Sequence, residues 1–257
     1  MDTTNATTPT PSTGRRVALV TGGSRGLGQA LVDGLLDQGW HVITDGRDAE
    51  RLHAAAARAR ERRPDAHLTD LVGDAGDPNH QGELLAAVDA ADRLDLLVLN
   101  AGDLGPSPLP HLADLTDDDL TAVLAANVVA PLSLTRTLLP ILRSSSGTVV
   151  AITSDAAAEA YEGWGAYGAS KAALEHLARV LAEEEPALAV HRIDPGDLRT
   201  DMHQAAFPGE DISDRAEPSS AVPGILAVIE RRPPSGGKWS AQAETKAVQG
   251  ETEGGTP

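Results

Sequence analysis

The chain has 257 residues, no cysteine, and a formal charge of −17 from 38 Asp and Glu against 21 Lys and Arg. Lack of cysteine excludes disulfide frameworks, thiolate metal sites, iron–sulfur clusters and cysteine nucleophiles, while the acidic balance and a stock of one Phe, two Tyr and three Trp argue against gripping phosphate backbones or stacking on bases. The length suits one large α/β domain with a sizeable core.

Residues 1–14 are polar and Thr-rich, so they are expected to form a disordered tail, and they lack the basic cluster and apolar run of a targeting leader. No later stretch approaches 18 uninterrupted apolar residues, and the expectation is a cytoplasmic protein with no nucleic-acid or membrane partner. From residue 15 to 239, short β-branched or Leu-rich runs alternate with Ala-rich helical ones, the pattern of βα units wound on both faces of a parallel sheet. Strands are expected at 16–20, 41–44, 67–72, 94–99, 147–153 and 188–193. Gly39 stops a helix over 31–38, Pro64 stops one over 49–63, and Asp77-Pro78 opens one running to Ala91. Thr116, with Asp119 three residues on, marks a helix start reaching to Val129. Residues 240–257, rich in Gly, Glu and Thr, are expected to be a second flexible tail.

The first strand runs into Thr21-Gly22-Gly23-Ser24-Arg25-Gly26-Leu27-Gly28 and then a helix. Glycines at 22, 26 and 28 let the backbone turn tightly against a pyrophosphate, whose charge the free N–H groups of the helix start attract. A plain βα turn would look similar. A P-loop is excluded, because no Gly-Lys-Ser/Thr follows.

Tyr167 and Lys171 are one helical turn apart and share a face. A nearby ammonium is expected to lower the phenol pKa from about 10, which suits a general acid that protonates a carbonyl oxygen. Ser154, at the end of the fifth strand, can donate a second hydrogen bond to the same oxygen. The eight His residues show no metal-ligand spacing, and Asp117, Asp118 and Asp119 suit a helix start, so no metal is expected.

The Gly-x-x-x-Gly-x-Gly spacing is joined in order by Asn100-Ala101-Gly102 after the fourth strand, Asn127, Ser154, Tyr167 and Lys171, and Pro195-Gly196 after the sixth. That combination resembles the short-chain dehydrogenase/reductase family over residues 15–239, departing where Leu99 replaces a frequent second Asn. The resemblance implies an α/β, single doubly wound Rossmann-type domain and an NAD(P)(H)-dependent oxidoreductase of a small-molecule carbonyl or alcohol. Its catalytic set would be Asn127, Ser154, Tyr167 and Lys171, with Lys171 also on the nicotinamide ribose and Asn127 kinking its helix and holding a water that links Lys171 to solvent. The implied cofactor contacts are Gly22, Ser24, Arg25, Gly26 and Leu27 in the turn, Asp74 at the adenine, Asn100, Ala101 and Gly102, then Pro195, Gly196 and Thr200 at the nicotinamide end. An NAD-linked alcohol dehydrogenase, a dehydratase or epimerase, and a non-catalytic dinucleotide sensor are the alternatives; the intact Ser-Tyr-Lys-Asn set argues against the sensor.

NADP(H) is expected over NAD(H). An acidic residue at the tip of the second strand would bond a ribose 2′-OH, but that position is Gly46, strand alternation aims Asp45 elsewhere, and Arg47 and Arg25 stand where NADP-using relatives are basic. Residues 197–218 are expected to form a lid over the substrate. Tyr161, Trp164, Met202 and Phe207 would border it, walls suited to a bulky apolar ketone. By the same resemblance, helices around 120–139 and 167–181 would pair subunits into a homodimer or homotetramer.

Overall fold

A computed structural model describes residues 14–253; the rest of the expected N-terminal tail and residues 254–257 lie outside the described residues. Seven parallel strands form one sheet in the order β3-β2-β1-β4-β5-β6-β7. They are β1 (Val17–Val20), β2 (His41–Gly46), β3 (His67–Val72), β4 (Leu96–Leu99), β5 (Thr148–Ile152), β6 (Ala189–Asp194) and β7 (Lys238–Ser240). The helices are α1 (Gly26–Asp37), α2 (Ala49–Arg62), α3 (Pro78–Ala90), α4 (Asp117–Leu124), α5 (Ala130–Ser144), α6 (Gly165–Glu184), α7 (Asp201–Ala206), α8 (Val222–Arg231) and α9 (Ala241–Glu253).

The central strands are apolar on both faces because helices cover both. Alternation sends Ala18, Val20, Val98 and Val150 into one core with α1 and α8, and Val17, Leu19, Leu97 and Val149 into another with α3, α5 and α6. Each sequence-expected strand is present, with ends shifted by a residue or two. β4 starts late because Asp95 turns its carboxylate to accept from the Val17 N–H at 2.8 Å while the Arg93 guanidinium holds it. Asp117–Ser144 is a continuous helical run apolar enough to cross a membrane by length and composition alone. Here Leu134, Leu138 and Leu142 bury its inner face against the sheet.

The C-terminal expectation needs correcting. β7 closes the sheet beside β6, and the residues expected to form a flexible tail continue as α9, packed on α8. Ala241 and Thr245 are buried in it, and Gly224 of α8 meets them: a Cβ there would stand 2.0 Å from the Ala241 carbonyl oxygen, and its N–H donates to Thr245 Oγ1 at 2.9 Å. Polar composition hid a helix that needs only a narrow face to dock.

Candidate active site

The order of strands reverses between β1 and β4, and a crevice opens there beyond their C-terminal ends, where open α/β sheets receive ligands. It holds about 1870 Å³, more than a single small ligand needs, and runs from the glycine turn past the ends of β2 to β6.

Gly22 (φ +74°) and Gly26 (φ +56°) occupy the left-handed region that side chains avoid, and a Cβ at Gly28 would stand 2.2 Å from the Gly22 carbonyl oxygen. Asn100-Ala101-Gly102 is stapled to this turn: Thr21 Oγ1 accepts from the N–H groups of Asn100 and Ala101, both at 3.0 Å, and Asn100 Nδ2 donates to the Thr21 carbonyl at 2.8 Å. Asp45 points beneath the turn and accepts from the Gly22 N–H at 2.6 Å. Gly46 backs onto Ser24, with only 3.1 Å between a Cβ there and the Ser24 Cβ.

Arg25, Arg47 and Arg51 stand together along the same bank, largely exposed. Asp201 pairs with Arg25 at 2.5 Å and Arg51 at 3.0 Å, while Asp74 lies 3.8 Å from Arg47 and accepts from the Gly76 N–H. Arg51 and Asp201 escaped the sequence reading; the one available signal was the position of Arg51, a turn beyond Arg47 on α2. Three guanidiniums on one bank can receive an anionic group, with Asp201 and Asp74 as their partners in this structure.

At the other end, α6 carries Tyr167 and Lys171 into the cleft, both buried. The Lys171 Nζ lies 5.5 Å from the phenol ring centre and donates to the Ile152 carbonyl at 2.9 Å. Burial pushes the Tyr167 hydroxyl well above its ordinary value, with Asp194 and Asp155 adding to the rise, and burial pulls Lys171 down to about 8. The direction is opposite to the lowering expected from the sequence: the shared helix face gives proximity, but burial, with Asp194 and Asp155, sets the phenol's shift.

Ser154 caps a short helical turn, its Oγ donating to Asp155 Oδ1 at 3.0 Å and accepting from the Ala156 N–H at 3.2 Å. Asn127 sits in a π-helical turn over Ala125–Val129, which is the form the expected kink takes. Its Nδ2 donates to the Asp103 carbonyl at 2.7 Å and to Ser170 Oγ at 2.9 Å, and its Oδ1 accepts from the Asp103 N–H at 2.7 Å. That amide ties the loop after β4 to α6. Pro195 and Gly196 (φ +74°) line the crevice after β6, and Thr200 caps α7 with its methyl 3.4 Å from where a Gly26 Cβ would be.

The aromatic wall is smaller than expected. Trp164 and Met202 line the crevice, whereas Tyr161 and Phe207 stand behind Trp164, with ring centres 6.3 and 6.0 Å from it. Tyr161 instead donates to Asp155 at 2.9 Å, and Phe207 packs in a small core with Leu104, Ala156 and Ala206. Among the described residues no group of three or more His, Asp or Glu side chains is placed to hold a metal.

Comparison with known proteins meets this geometry directly. The short chain dehydrogenase family model matches residues 16–211. The Escherichia coli oxidoreductase YciK is 34% identical over 238 residues, covering 90% of this chain and 93% of its own. A short chain dehydrogenase from Shigella flexneri, crystallised with NADP, superposes with a TM-score of 0.83 at 32% identity, covering 89% of this chain and 98% of that one. Another from E. coli, crystallised with NADPH, gives 0.82 at 32% identity, covering 89% and 97%. The chain is an oxidoreductase that belongs to the short-chain dehydrogenase family.

Proposed function

We propose that the protein is an NADPH-dependent carbonyl reductase whose proton donor is Tyr167. The observation that carries this reading is the placement of Ser154, Tyr167 and Lys171 in the same cleft as a glycine turn flanked by three guanidiniums. When bound, NADPH supplies the hydride that adds to the carbonyl carbon. Gly22, Ser24, Gly26 and Leu27 would hold its pyrophosphate, Arg25, Arg47 and Arg51 its ribose phosphate, and Asp74, Asn100, Pro195, Gly196 and Thr200 the remaining lengths. Tyr167 gives its hydroxyl proton to the carbonyl oxygen, Ser154 Oγ donates a second hydrogen bond to it, and Lys171, close enough to neutrality near pH 8, can pass a proton to the phenolate. Asn127 keeps the Asp103 loop against α6 and so holds the wall of this pocket.

Trp164 and Met202 favour a bulky, apolar ketone over a small sugar or hydroxy acid. Val129, Leu132 and Val180 are exposed on the outer faces of the helical run through α5 and of α6, and they suit pairing with a second copy of the chain. The test is an absorbance assay of purified protein with NADPH and NADH against ketones of graded size, with light scattering on the same preparation. Expected are faster turnover with NADPH, larger ketones preferred, and a dimer or tetramer. Equal or better efficiency with NADH, a preference for small hydrophilic carbonyls, or a monomer would overturn the corresponding part.

A further inference from the structure

Directly beneath the glycine turn lies a buried charged pair that the reduction chemistry does not use. Asp45, 1% exposed, accepts from the Gly22 N–H through Oδ1 at 2.6 Å, and its backbone carbonyl accepts from the Gly23 N–H at 2.9 Å. Its Oδ2 faces His80 Nε2 at 3.3 Å, an ion-pair contact outside hydrogen-bond geometry, and neither atom has a hydrogen-bond partner among the described residues. His80, 4% exposed in the first turn of α3, presents Nδ1 to Glu83 Oε2 at 3.1 Å. Its ring lies flat against Gly73, where a Cβ would stand 2.1 Å from Nδ1. His80 thus fills the space between the turn that would hold the pyrophosphate and the Gly73-Asp74 corner that would hold the adenine.

Both ring nitrogens face carboxylates. A neutral imidazole donates from one nitrogen only, so the imidazolium alone satisfies both. Glu83 is largely exposed and can turn to water, whereas Asp45 is enclosed. Without the His80 proton, a full negative charge would remain under N–H groups that must attract phosphate.

We propose that His80 is a positioning residue for the cofactor: as an imidazolium it neutralises Asp45 beneath Gly22, and dinucleotide affinity falls when it loses its proton. The charged groups facing the ring are Asp45 from β2 and Glu83 from α3. The corner after β3 offers Gly73 and an Asp74 turned to Gly76 and Arg47, and α5 sends Ser133 to Gln81 rather than to the ring. The Asp45 carboxylate beside Nε2, and then Glu83 beside Nδ1, raise the His80 pKa above the ordinary imidazole value against the opposing cost of burial. The coupling is reciprocal, so bound nucleotide would also hold the proton more tightly.

This inference rests on the cleft taking a nicotinamide dinucleotide, and the test separates the two. Affinity is measured from pH 7 to 9.5 for NADPH, by its fluorescence, and for adenosine 2′,5′-bisphosphate, by displacement. The second probe lacks the nicotinamide ribose and so does not report the titration of Lys171 near pH 8. Wild-type affinity is expected to fall about tenfold across that range, the size of one unit of pKa coupling. His80→Gln is expected to bind at every pH as weakly as wild type does at pH 9.5. Asp45→Asn, which still accepts from Gly22 N–H but carries no charge, is expected to bind tightly with a flat profile. Nitrogen-15 NMR of the wild-type histidines needs no foldable variant: His80 should be protonated on both nitrogens at pH 7. A neutral His80 at pH 7, or a His80→Gln protein with the wild-type affinity and slope, overturns the inference alone. Failure of wild type to bind either nucleotide at any pH overturns the reductase reading and this inference together.

Discussion

Replacing Tyr167 with Phe keeps the ring that packs edge-on against Trp164, 5.6 Å between centres, and removes only the hydroxyl. Fold and cofactor affinity are therefore expected to survive while turnover drops about 10²- to 10⁴-fold, the usual worth of a general acid. Steady-state assay with a cofactor titration checks both; more than about a tenth of wild-type turnover lies outside that range and would remove Tyr167 from its role. The sequence located this residue and its neighbour because spacing on a helix is fixed by 3.6 residues per turn. It could not show the direction of the pKa shift, because that depends on how deeply α6 is pressed against β5 and on Asp155 and Asp194 arriving from other strand ends. The same limit applies to Asp45: alternation showed that it leaves the ribose, and only the fold shows that it ends under Gly22 beside His80.

Among the elements, α7 and the segment around it have a distinctive mounting. The segment leaves and rejoins the body at one place, where Leu198 bridges Ala216 and the Arg199 N–H donates to the Ala216 carbonyl at 2.8 Å. Its tip reaches across to the opposite bank through Asp201, on Arg25 and Arg51, and through the Ala205 carbonyl, which accepts from Ser107 Oγ at 2.6 Å. Each guanidinium has five donors, so a ribose phosphate placed between these arginines would add an anchor to the one Asp201 provides. Residues 197–218 are expected to act as a lid: with saturating NADPH and a carbonyl ligand, hydrogen exchange across α7 slows. Unchanged exchange throughout the segment would defeat the idea. Pro208, Gly209 and the polar run made this segment stand out in the sequence, but its closing contacts are long-range ion pairs that no local pattern encodes. The strands were legible for the opposite reason, since burial on both faces writes itself as short apolar runs, whereas β7 and α9 dock through single residues such as Ala241 and Thr245 and leave almost no periodic trace.

For the molecule as a whole, stability against acid turns on which groups are buried without a charge. His191 lies in β6 on the face of the first core, beside Val150 and on the same side as Ile193, fully enclosed, with Trp239 edge-on at 6.3 Å and neither ring nitrogen partnered among the described residues. Burial, helped by Arg232 and Arg231, pulls its pKa down to about 4 from an ordinary 6.5. The unfolded chain therefore binds a proton between those values that the folded chain refuses, so this contribution to stability is complete above about pH 6.5 and is lost as pH falls toward 4. Two other effects act in acid. Carboxylates held low by partners, such as Glu175 beneath Lys238, Thr153 and Arg192, begin to lose their contribution as pH falls through the ordinary carboxylate range and lose it fully below that range. Self-repulsion from a net charge of −17 is relieved as carboxylates protonate and works in the opposite sense; moderate salt screens most of it. The upper part of the His191 window lies above the first, and the other two effects act alike on wild type and a His191 variant, so comparing their urea midpoints from pH 8 to 4.5 at fixed salt can isolate it. His191→Leu is expected to flatten the wild-type decline between pH 6.5 and 4.5 while leaving the slope of the urea transition unchanged. An equal decline in both proteins would place the acid sensitivity elsewhere, and a His191→Leu protein less stable than wild type at pH 8 but equal to it at pH 4.5 would still show the predicted convergence.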